Sequence, residues 1–236
     1  IVTGAVGSTR RWRTMPWLVI LFGILIAPLG VVSILFIIIQ PIVIGTWSLI
    51  ALIGAAAILI QIPYSLDELL ASLQFLRRRA KAGQDWLRVL FAGDTDERAG
   101  SEGGADEFDA APRTVLREMV AGGVNLPWNL ALCVGIGLWL LFTRATLGAE
   151  GTMADADHLI GSLVLTVISI AAAEVARPAR LLLVPLGLAL AAMPFLAAAS
   201  GVQSVVGVVL GLALAVLSLR RGPIRGRYGN WQRLIV

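Results

Sequence analysis

Residues 16–62 read PWLVILFGILIAPLGVVSILFIIIQPIVIGTWSLIALIGAAAILIQI and contain no Asp, Glu, Lys, Arg or His. A helix needs about 20 apolar residues to cross the hydrocarbon core of a bilayer, so this run supplies two crossings. The turn between them is read as Gln40-Pro41. That places span one at 16–40, with Pro28 inside it as an expected kink, and span two at 42–62. Further along, four more runs of the same kind lie near 127–147, 159–176, 181–200 and 202–219. The expectation is an all-α integral membrane protein with six transmembrane helices.

Composition points the same way. Apolar residues make up 58% of the 236, charged residues 14%, and mean hydropathy is +0.85. A soluble domain carries roughly a quarter charged residues. The net charge of +4 reads as basic loops against anionic lipid rather than as a nucleic-acid surface. The first eight residues are small and apolar, without a charged leader pattern; they read as the tail of an earlier helix.

Lysine and arginine set the expected orientation. With the N-terminus cytoplasmic, segments 1–15, 63–126, 177–180 and 220–236 are cytoplasmic, and they hold 18 of the 19 basic residues. Arg144, near the outer end of span three, is the exception. The outer loop at 148–158 holds Glu150, Asp155 and Asp157. Both termini are therefore expected in the cytoplasm, and the location is a bacterial cytoplasmic (inner) membrane.

The insert between spans two and three has three textures. At 64–81, Leu66, Leu69, Leu70, Leu73 and Leu76 recur at helical spacing before Arg77-Arg78-Arg79-Ala80-Lys81, which predicts a cytoplasmic amphipathic helix at the lipid surface. Residues 85–91 predict a second short interfacial helix. Residues 93–112 are acidic and poor in apolar side chains, which predicts a disordered linker. Three regions follow: 1–92, the linker 93–112, and a four-helix membrane region 113–236. That last region carries a weak parallel repeat. Gly137-Leu-Trp-Leu parallels Gly187-Leu-Ala-Leu, and His158-Leu-Ile-Gly161 parallels Ser204-Val-Val-Gly207.

Ionisable groups inside the spans are few. Glu174, near the cytoplasmic end of span four, is read as an ion-paired neighbour of Arg177. His158 is read as a cap or interface residue rather than a metal ligand, and Cys133 as a small apolar core residue. No metal site and no catalytic residue is assigned. Trp12, Trp17, Trp47, Trp128, Tyr228 and Trp231 are read as interfacial anchors, and Gly207-x-x-x-Gly211 as a packing face.

Two resemblances add to this reading. Gly7-Ser-Thr-Arg-Arg-Trp12, Pro16-Trp17, Pro28-Leu-Gly30, Gln40 and Gly45-Thr46-Trp47 make residues 7–70 resemble the last part of bacterial vitamin K epoxide reductases. That resemblance implies a quinone-coupled thiol oxidoreductase with a Cys-x-x-Cys near the outer end of span two. The two cysteine positions fall on Ser48 and Ala51, so the thiols are missing. Trp47, Ser48 and Ala51 are then expected to form a quinone-facing wall, with quinone the only cofactor implied. Ser48 is expected about two turns below the outer surface, its hydroxyl bonded to the Ile44 carbonyl. Pro127-Trp128, Gly137-Leu-Trp139-Leu and Met193-Pro194-Phe195 make residues 127–220 resemble the SPW-repeat membrane proteins.

The function expected first is a non-catalytic membrane scaffold or accessory subunit. Its partners would be the lipid bilayer and either other membrane subunits or a second copy, bound through small-residue helix faces. The alternatives are a fragment of a quinone-dependent thiol-disulfide oxidoreductase whose cysteines lie elsewhere or were replaced, and a small transporter.

Overall fold

The computed structural model describes residues 14–94, 123–197 and 201–225, and these are helical apart from short connections. Nearly all of the expected linker lies outside the described residues, as do residues 1–13 with Trp12, and Tyr228 and Trp231.

Helices α1 (Pro16–Ile39) and α2 (Leu49–Lys81) form an antiparallel hairpin. The turn between them is longer than Gln40-Pro41. The chain makes a π-helical turn over Gln40–Ile44, then Gly45 takes a left-handed conformation (φ 74°) and stops the helix. Gln40 closes this turn twice. Its carbonyl accepts from Thr46 N–H at 3.3 Å, and its side-chain Oε1 accepts from Ser48 N–H at 3.0 Å. Ser48 then caps α2, its hydroxyl accepting from Ala51 N–H at 3.4 Å. The expected position of Ser48, two turns inside span two and bonded to Ile44, is therefore corrected. A glycine stop followed three residues later by a serine cap is the signal that places the turn.

α2 runs unbroken through Pro63 to Lys81. Gly23 of α1 lies against Leu69, Gly30 against Ile58 and Ile62, and Ile37 packs with Ala55. The stretch 64–76 thus lies alongside the first half of α1. The leucine spacing is helical as expected, but Leu73 is exposed while Phe75 and Leu76 are buried. These two, with Val89 from the short helix α3 (Trp86–Ala92), enclose Ile20 of α1 and form a small core of their own. Arg79 pairs with Asp94 at 3.2 Å and holds α3 back on α2.

The rest of the chain is a second helical unit: α4 (Trp128–Leu141), α5 (Thr143–Thr146), α6 (Gly151–Ala172), a 3₁₀ segment (Glu174–Leu182), α7 (Leu183–Leu196) and α8 (Val202–Leu219). α4 packs on α6 and α7 on α8, and the pairs meet through α6–α7 and α8–α4. That reciprocity is what a parallel repeat of two hairpins produces. Its register differs from the one read in the sequence. In the first hairpin a Cβ on Gly161 would lie 2.8 Å from the Gly137 carbonyl oxygen; in the second, Gly187 and Gly211 lie carbonyl-to-Cα. Gly161 therefore corresponds to Gly211, fifty residues on, just as Gly137 corresponds to Gly187. The expected equivalence of Gly161 with Gly207 is off by one helical turn. The same offset runs through the core, where Cys133, Leu140 and Val164 of one repeat match Leu183, Leu190 and Leu214 of the other. Residues 131–140 and 181–190 even share one pattern of buried and exposed positions.

Among the described residues, five helical stretches are long and apolar enough to cross a membrane: Pro16–Ile44, Leu49–Lys81, Gly151–Ala172, Glu174–Leu196 and Val202–Leu219. Trp128–Leu141, with 14 residues, spans only about 21 Å at 1.5 Å per residue. α6 starts at Gly151, so residues 151–158, expected in an outer loop, form its first two turns. Met153, Ala154, Asp157 and His158 are buried there. The chain is a helical protein of multi-pass membrane type.

Candidate functional site

Four polar residues of α6 form a stripe. His158, Ser162, Thr166 and Ser169 are four, four and three residues apart, which places them on one face of the helix. An apolar helix carrying such a stripe must bury it against hydrogen-bonding groups. Ser162 and Thr166 satisfy themselves, donating to the carbonyls four residues back, His158 and Ser162, each at 2.8 Å. The two end members cross to the α1–α2 hairpin. His158 Nε2 lies 2.8 Å from the Ile37 carbonyl oxygen, and the Ser169 hydroxyl donates to the Leu59 carbonyl. The other histidine nitrogen, Nδ1, faces the Leu141 carbonyl at 3.3 Å. A neutral imidazole has one N–H, and the shorter contact assigns it to Nε2.

The end of this seam next to the α1–α2 turn collects several of the residues singled out in the sequence. Trp47, in the extended turn, meets the edge of His158 with ring centroids 5.0 Å apart. It also stacks on Phe142 of the second unit at 5.6 Å. Around them, Asp155 pairs with Arg144, so the one basic residue expected on the outer side has a local counter-charge. Asp157 is buried against Thr143. Asp155, Asp157 and His158 thus diverge to three separate partners, and no group of three or more metal-ligating side chains occurs among the described residues. Ser48 and Ala51 do not share the aromatic contact of Trp47; they cap α2 beside it.

The opposite end is a second polar cluster. α6 stops at Ala172, and the extended Ala173 forms an antiparallel bridge with Val124. Asn125 N–H donates to Ala172 O and Glu174 N–H to Gly123 O, both at 2.9 Å. This pins residues 123–125 under α6. Glu174 and Arg177 are both fully buried, and Asn125 lies between them. Its amide donates to Glu174 Oε1 at 3.3 Å, while its carbonyl accepts from Arg177 Nη2 at 2.8 Å. The Arg225 N–H also donates to Glu174 Oε1, at 2.9 Å. The carboxylate of Asp67, from α2, lies against Gly123. Glu174 was expected within span four; it instead opens the 3₁₀ segment that follows α6.

Cys133 is buried in the four-helix core and is a free thiol. Asn125, Asn129 and the serine–threonine members of the stripe were not singled out in the sequence. The four-four-three spacing in α6 is the signal that exposes the stripe. Asn125 and Asn129 flank the start of α4, where amides commonly satisfy chain ends.

Comparison of the chain with known protein families, curated proteins and solved structures finds no match. What the chain does must be argued from its own geometry.

Proposed function

We propose that this chain is a non-catalytic scaffold or accessory subunit of a bacterial cytoplasmic membrane, with six spans and both termini in the cytoplasm. The observation that supports this reading is the α6 stripe. Its polar groups are committed to backbone carbonyls of its own helix and of the hairpin, so they lock two helical units together. The topology draws support from the two polar clusters. Glu174, Arg177, Asp67 and Asn125 gather at one end of the helices, and Arg144, Asp155 and Gln40 at the other. The sixth span joins α4 to α5, which together carry residues 128–146 across most of the layer.

Quinone-dependent dithiol oxidation is the decisive assay. The purified chain, given a dithiol and a soluble quinone, is expected to show no turnover. Impermeant thiol labelling of a cysteine introduced at position 100 is expected only after the cells are opened. Labelling from the outside of sealed cells would overturn the topology.

One observation favours the oxidoreductase-fragment reading. Trp47 is 38% exposed beside Phe142 at the outer end. An apolar cleft of about 280 Å³ between α1, α2 and α6 begins at Ile34, one turn below Ile37. A quinone ring could lie on the aromatic pair with its tail in the cleft. Ser48→Cys with Ala51→Cys would then form a reducible disulfide in the first turn of α2. Turnover by the unmodified chain would put this reading first.

A further inference from the structure

At the end of α8 the chain turns back across the start of α4 and encloses a pocket of about 460 Å³. Two asparagines build its walls. Asn129 donates from one amide nitrogen to the carbonyls of Leu217 (3.0 Å) and Arg220 (2.8 Å), and Asn125 donates to the Pro223 carbonyl at 2.9 Å. This holds Arg220, Arg221 and Arg225 around one opening, and none of the described residues that line it is acidic. Arg220 lies over the Trp128 ring at 5.4 Å, which orients its guanidinium. Glu174, the nearby carboxylate, spends one oxygen on Asn125 and the Arg225 backbone. The pocket also has an apolar lip. Leu126 and Trp128 are 48% and 59% exposed at its edge, at the level where the apolar stretch of α8 ends.

We propose that this pocket binds the phosphodiester headgroup of an anionic lipid. Guanidinium forks recognise phosphate oxygens in pairs, and basic pockets at the ends of membrane helices collect anionic headgroups. The apolar lip selects a lipid over a free ion, since the glycerol backbone and upper acyl chains would lie along Leu126 and Trp128 while the phosphate enters among the arginines. Arg77, Arg78 and Lys81 form another basic run, exposed at the end of α2.

The test uses the full chain in a neutral detergent, titrated with dioleoyl phosphatidylglycerol, with dioleoyl phosphatidylcholine, and with sodium phosphate. Bound lipid is counted by native mass spectrometry, and the thermal midpoint is followed in parallel. Saturable retention of phosphatidylglycerol and a raised midpoint are expected, with neither produced by the other two additives. Arg220→Gln combined with Arg225→Gln should weaken retention about 10- to 30-fold, the loss expected for two surface arginines against an anionic lipid. Arg77→Gln with Arg78→Gln should leave it unchanged. Circular dichroism confirms that each variant is folded before its binding is read, and Trp128→Phe, which keeps an aromatic platform, should retain most binding. Equal retention of phosphatidylcholine, an equal effect of inorganic phosphate, or an equal loss in the Arg77/Arg78 variant would overturn the proposal.

Discussion

The two hairpins of the four-helix unit share a backbone plan and differ in what their second helices show to the outside. In α6 the stripe is His158, Ser162, Thr166 and Ser169. Fifty residues on, α8 carries Val208, Leu212, Val216 and Leu219. His158 is 1% exposed and Ser169 9%, because the α1–α2 hairpin covers them; Val216 and Leu219 are 65% and 62% exposed. Lipid tails solvate an apolar helix face as well as protein does, so the α8 face gains little from a cover. A polar face has no such option and needs protein hydrogen-bond partners. The α1–α2 hairpin accordingly sits on the first repeat, and among the described residues no equivalent cover lies on the second repeat's face.

The hardest blow to the repeat falls where it is tightest. Gly161→Leu and Gly211→Leu should each cost about 3 kcal/mol or prevent folding, because the new side chain would meet backbone on the facing helix. Gly54→Leu, in open space, should be neutral. Gly207→Ala should be mild, since the nearest atom is the flexible end of Met153. Yield of monodisperse protein and the thermal midpoint rank these variants. A Gly207→Ala variant more damaging than Gly211→Ala would restore the register first read in the sequence.

The seam comes next. His158→Leu removes a cross-unit hydrogen bond and the edge contact with Trp47, and should destabilise by about 1.5 kcal/mol, near the upper end for membrane hydrogen bonds. Disulfide trapping between cysteines placed at 59 and 169 should fall in this variant, while α7–α8 trapping stays constant. Unchanged trapping at 59–169 would show that the stripe does not hold the hairpin.

The smallest effect is the sharpest comparison. Ser169→Ala should cost about 0.6 kcal/mol, the average for a helix–helix hydrogen bond in a membrane protein. The matching change in the second repeat, Leu219→Ala, should leave the midpoint within the error of the measurement. Equal effects at the two positions would mean that the repeats are packed alike on their outer faces, contrary to their burial.

Long features were legible and short ones were not. The last helix was placed residue for residue, because an uncharged, mostly apolar run between Gly201 and Arg220 leaves little choice. The continuation of α2 to Lys81 was legible in the leucine spacing, although its packing partner was not. The expected outer loop was misjudged at 151–158, because Asp155, Asp157 and His158 lower the hydropathy of a stretch that is nevertheless helical and half buried. Trp47 was singled out from the sequence, and the structure adds His158 and Phe142 as its neighbours.

By itself, the sequence determined the helical membrane-type class, the approximate positions of the apolar stretches and the existence of a parallel repeat. These are sums over many residues, and one polar substitution barely changes them. Tertiary structure alone decided the repeat register, the length of the turn after Gln40 and the partners of the α6 stripe. Those depend on single close approaches, two of them to the carbonyls of Ile37 and Leu59. Every residue carries a carbonyl, so nothing in the side-chain code marks the ones that will be met.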